Sequence, residues 1–138
     1  MSLSAEDKLA IHELLSRSAY AFDEQDLDML EACFTEDAVF SIQITGADLM
    51  GPFEGREAIM TLYRDSLAVQ TDVRRHVTTN IFFDSEDGDP LVISNLTLFA
   101  TEDGETRLLT AGVYRDTVRR TDNGWLLLKR HLDLDSAY

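Results

Sequence analysis

The tightest constraint on this chain lies in its second half. Four runs rich in β-branched and aromatic residues are separated there by turn clusters at Ser85 to Pro90, Glu102 to Glu105 and Thr121 to Gly124. Such runs favour the pleated, half-buried surface of a sheet, and short polar links join neighbouring strands as hairpins. The spacing predicts a meander over 75–84, 91–101, 106–120 and 125–134. A sheet with an apolar face needs a second layer, and the first half of the chain must supply it.

That half reads as helices. Ser4 offers a hydroxyl cap, Glu6 and Asp7 face the positive end of a helix dipole, and Ile11, Leu14, Leu15, Ser18 and Phe22 recur at helical spacing. One amphipathic helix over about 5–23 follows. Asp26 can cap a second, shorter helix carrying Leu27, Leu30, Cys33 and Phe34. Thr35, Glu36 and Asp37 break that pattern, Ala38 to Ile44 alternates like a strand, and Gly51-Pro52 signals a turn. Gly55 precedes REAIMTLYRDSLA, where Ile59, Leu62, Tyr63 and Leu67 mark a third helix. Helices first and consecutive strands after them predict an α+β fold, with helices on one face of a curved antiparallel sheet.

A length of 138 residues suits one domain over 1–138. Hydrophobic residues at 44% and charged residues at 28% are globular proportions. The amino terminus lacks a signal-peptide pattern and no apolar run has bilayer length, which predicts a cytoplasmic protein. A net charge of −14 repels phosphate backbones and anionic lipid, so neither nucleic acid nor a membrane surface is an expected partner. Cys33 is the only cysteine and the three histidines fall at no ligand spacing, so no intrachain disulfide, metal or other cofactor is expected.

The order of elements, with four local segments, resembles the cone of the SnoaL-like, nuclear-transport-factor-2-like (cystatin-like) proteins. AYAFDEQDLDMLEACFTEDAVF resembles that group's first helix, acidic turn and second helix, and PFEGREAI the start of its third helix. RRHVTTNIFF resembles the strand that carries its histidine, and AGVYRDTVRRTDNGWLLLKR its last hairpin. Within the group, scytalone dehydratase and lindane dehydrochlorinase use an aspartate at the end of helix one and a histidine on the first meander strand. Asp23 and His76 occupy those two places. VISNLTL and the closing LLKRHLDLD resemble the small β subunits of aromatic-ring-hydroxylating dioxygenases.

The resemblance therefore implies a catalytic pair, and elementary chemistry says what such a pair does. An imidazole titrates near neutrality and can take a proton from carbon and return one to a leaving group. An aspartate that accepts from Nδ1 fixes the tautomer and leaves Nε2 as the base. Tyr20, one turn before Asp23, could donate a phenolic hydrogen bond to a substrate carbonyl, as could Tyr63 or Tyr114, and Asn95 could orient a substrate oxygen. With a period of two, His76, Thr78, Asn80 and Phe82 share one face. Arg115, Arg119, Arg120 and Arg130 alternate with acidic residues, a pattern of ion pairs on an exposed face, whereas an arginine turned inward would select a carboxylate or phenolate. Scytalone dehydratase has a tyrosine where this chain has Phe22, and a second pocket histidine that nothing here replaces, which argues against that particular dehydration.

The expected function is a cofactor-independent lyase or isomerase acting on a small hydrophobic oxygenated molecule. Two rivals are a non-catalytic subunit like the dioxygenase β chains and a module that only binds a ligand. Open sheets of this kind bury a face or edge against a copy of themselves, so a homodimer or homotrimer is expected.

Overall fold

A computed structural model describes residues 2–138. Helix α1 spans Ala5–Asp23, α2 Leu27–Glu31 and α3 Arg56–Val69. The strands are β1 Phe34–Ile44, β2 Met50–Glu54, β3 Val73–Ser85, β4 Leu91–Glu102, β5 Glu105–Thr121 and β6 Gly124–Leu134. They form one unclosed, curved sheet in the order β2-β1-β6-β5-β4-β3.

The capping chemistry of the sequence is realised. Ser4 Oγ accepts from the Asp7 amide at 3.0 Å while Asp7 Oδ2 accepts from the Ser4 amide at 3.2 Å, a reciprocal box worth about 1 kcal/mol. Asp26 Oδ1 accepts from the Met29 amide at 3.1 Å and starts α2. Ile11, Leu14, Leu15, Ser18 and Ala21 form the buried stripe of α1, and Ile59, Met60 and Tyr63 that of α3. α1 packs on β3 and α3 on β1, so both helices cover the same side of the sheet. No helix among the described residues is long and apolar enough to cross a membrane.

Four details differ from the sequence reading. The second helix ends at Glu31, and Cys33 leads directly into β1, which begins at Phe34 and runs through Thr35, Glu36 and Asp37. Gly51-Pro52 lies within β2, a short edge strand with little burial to betray it. The sheet is antiparallel through the meander but β1 runs parallel to β6, with Phe40 opposite Arg130 and Ile42 opposite Leu132. An α-helical excursion between β1 and the meander makes that seam possible, because parallel neighbours require a long crossover.

The fourth difference decides which residues face the helices. The β3–β4 register is interrupted between Thr79 and Phe82, where Asn80 has φ of 55°. Such a bulge inserts one residue and reverses the alternation beyond it. Arg74, His76 and Thr78 face inward, and after the bulge Ile81 and Phe83 do, leaving Asn80 and Phe82 exposed. Asn80 and Phe82 therefore do not share the face of His76.

Candidate active site

Between the helices and the concave side of the sheet lies a cavity of about 330 Å³. Its walls are mostly apolar, with Phe22, Phe40, Leu96, Leu98 and Leu132 among them. That volume falls at the small end of the range found for ligand pockets in general.

Asp23 is the last residue of α1 and His76 sits on β3, the strand against which α1 packs. Their side chains are 8% and 6% exposed. His76 Nδ1 lies 2.5 Å from Asp23 Oδ1, and the His76 backbone amide donates to Oδ2 at 2.9 Å and Oδ1 at 3.2 Å. An ionised carboxylate only accepts, so Nδ1 carries the proton and Nε2 is the free lone pair. Phe22, immediately before the aspartate, stacks on the imidazole with ring centroids 4.6 Å apart and planes inclined by 29°. The ring is thus fixed by a carboxylate at one edge and an aromatic plane on one face.

A second polar group was foreshadowed only in part. Tyr114 on β5 and Tyr63 on α3 both line the cavity and are buried. Between them sits Arg130, fully enclosed: its Nε and Nη2 donate to Asp116 at 2.9 and 3.0 Å, and its guanidinium lies over the Tyr114 ring, 4.1 Å from the centroid. The Arg130 cation also acts on the Tyr63 phenol electrostatically, against the effect of burial. Burial pushes the Tyr114 phenol up to about 12 and raises Tyr63 as well, so both remain hydrogen-bond donors at neutral pH. Burial works against the Arg130 cation, but the charge and hydrogen bonds of Asp116 more than offset it and raise its pKa.

The sequence-derived candidates separate cleanly. His76 and Tyr114 line the cavity, and Asp23 stands behind His76, reaching the site through the imidazole. Tyr20 does not reach it: it is 59% exposed, because it lies 200° around the helix from buried Ser18. Asn95 is also excluded, since Ser94, Leu96 and Leu98 face inward and Asn95 projects to the opposite, exposed face. Arg130 departs from the expected surface ladder, whereas Arg115, Arg119 and Arg120 follow it, pairing with Asp133, Asp89 and Asp7. The alternation that buries Leu128, Leu132 and Leu134 buries Arg130 with them, a signal available from β6 once the strand's inward phase is known. No group of three or more histidine, cysteine or acidic side chains among the described residues forms a metal cradle.

Comparison with known proteins agrees with this architecture. The family model for the SnoaL-like domain matches residues 3–131. No curated protein matches the sequence. A candidate aromatic ring hydroxylase from Novosphingobium aromaticivorans superposes with a TM-score of 0.80 at 28% identity, over 96% of this chain and 91% of that one. A cystatin-like protein of unknown function from Nostoc punctiforme gives 0.79 at 24% identity, covering 98% and 96%. The β subunit of a candidate aromatic-ring-hydroxylating dioxygenase, also from Novosphingobium aromaticivorans, gives 0.80 at 18% identity, covering 94% and 89%. The last two likenesses concern the fold alone.

Proposed function

The chain belongs to the SnoaL-like domain family, and on that premise we propose that it is a cofactor-independent lyase or isomerase that abstracts a proton from a small, mostly apolar, oxygenated molecule. The observation that carries this reading is the 2.5 Å contact between Asp23 and His76 Nδ1, which leaves Nε2 unengaged at an apolar cavity. His76 Nε2 takes a proton from carbon next to a carbonyl. Asp23 stabilises the imidazolium that results. Charge then develops on the carbonyl oxygen, and Tyr114, with Tyr63 beside it, donates hydrogen bonds to that oxygen. The imidazolium returns its proton either to a departing hydroxyl, releasing water, or to another carbon of the same molecule, shifting a double bond.

Solvent-exchange NMR tests the first step without knowledge of the natural substrate. In deuterium oxide, the protein should accelerate loss of the α-proton signals of 2-tetralone or another member of a panel of cyclic ketones, and His76→Ala should abolish the acceleration. Absence of protein-dependent exchange across the panel, or exchange that survives in His76→Ala, would contradict the proposal.

The dioxygenase-subunit reading draws on the 28% identical ring-hydroxylase neighbour. A non-catalytic scaffold has no need of a buried, aspartate-held imidazole in an apolar hollow, which favours the enzyme. Co-purification with a larger iron-bearing chain would reverse that preference. We also propose self-association as a dimer or trimer, since β3 is a sheet edge whose outer side exposes Val73, Val77 and Phe82. A solution mass near 15.6 kDa by light scattering would refute it.

A further inference from the structure

The proton-transfer chemistry leaves one charged group at the cavity without a role. Arg74 precedes His76 by two residues on β3, faces the same way, and lines the cavity together with Ser66 and Gln70 from the end of α3. Its side chain is only 20% exposed. Nε donates to Asp72 Oδ1 at 2.8 Å, and the guanidinium lies over the Tyr138 ring, 5.2 Å from the centroid. Neither terminal Nη has a hydrogen-bond partner among the described residues. Arg75, one residue on, points the other way and is engaged by Glu24 at 2.9 Å.

A guanidinium held at one edge and across one face, with its outer nitrogens open to a sheltered hollow, is a fork shaped for a planar oxyanion. Two same-face residues of a strand stand roughly 6–7 Å apart. The fork and the imidazole therefore lie along one wall, within reach of two ends of one small molecule, with Leu96 and Leu98 on the adjacent strand for its apolar body. The net charge of −14 disfavours anions in general, so any preference for one must come from this local group.

We propose that the cavity selects an apolar molecule bearing a carboxylate, which Arg74 binds while the reacting carbon lies at His76. The proposal rests on the cavity being the substrate site; it does not rest on turnover.

Titration calorimetry with 2-naphthoate and its neutral isostere 2-naphthamide tests it. The protein should bind the naphthoate about tenfold more tightly or better, the scale of one charge-assisted hydrogen bond. Arg74→Met should remove the difference between the two probes. Asp72→Asn, which frees Nε from its competing carboxylate, should widen it and serves as the second test should Arg74→Met fail to fold. Equal affinities in the unaltered protein, no binding of either probe, or a preference that survives in Arg74→Met would each overturn the assignment. Because the readout is affinity, it is separate from the exchange assay: either result can fail while the other stands.

Discussion

His76 and His131 are both strand histidines beside an aspartate, yet the structure gives them opposite prospects. His131 lies on the outer side of β6, with Nδ1 at 2.7 Å from Ser41 Oγ and Nε2 at 2.9 Å from Asp133. Both its ring nitrogens are engaged and its side chain is 31% exposed. His76 has one nitrogen held by a buried carboxylate and the other left toward an apolar cavity. An aspartate–histidine contact is therefore not a site in itself. What distinguishes a base from a surface hydrogen bond is a free lone pair in a place from which water is largely excluded.

The contrast can be broken by substitution. His76→Ala should lower protein-dependent ketone exchange by roughly 10²- to 10⁴-fold, while His131→Ala should leave it as it was; equal losses would erase the distinction. Asp116→Ala should act on folding instead. It strands a buried Arg130 cation, which typically costs about 3–5 kcal/mol, and chemical denaturation should record that loss. Asp23→Asn keeps the shape but not the charge behind the imidazole and lets the ring take the other tautomer, so exchange should fall, by up to the loss expected of His76→Ala. Asp133→Asn, beside His131, is the matched control and should have no such effect.

The smallest effect concerns Tyr114. The folded state holds its phenolic proton up to about pH 12, while an unfolded tyrosine releases it near its ordinary value of 10.0. Protons are then bound more tightly by the folded protein, so stability is whole below pH 10.0 and declines as pH rises toward 12. Tyr114→Phe should remove part of that decline, seen as a flatter dependence of denaturation midpoint on pH. An unchanged slope would mean that the phenol is not sheltered.

Much of this is legible in the sequence alone. The meander announced itself through turn clusters, and α1 through a cap and a stripe, because both signals are local. Asp23 and His76 came from resemblance, since nothing in their spacing brings residues 53 positions apart into contact. The missed residues share one cause, namely that facing depends on phase. Asn95 sits between Ser94 and Leu96 in a strand whose outer side also buries Ile93, so hydropathy did not reveal its inward set. Asn80 conceals a bulge that only its φ of 55° exposes. Arg130 looked like one rung of a surface ladder until its partner Asp116, opposite it on β5, proved to be fully buried. Tyr20 lies one turn before Asp23, but the buried stripe of α1 runs through Ser18 and Ala21, and Tyr20 is about 200° around the helix from Ser18.

The most direct measurement is the tautomer of His76, read from two-bond ¹H–¹⁵N correlations of the neutral ring. A proton on Nδ1 with a bare Nε2, lost or mixed in Asp23→Asn, is the result expected if the aspartate holds the ring as a base facing the cavity. A proton on Nε2 in the unaltered protein would contradict it, because the nitrogen assigned to receive the substrate's proton would already carry one.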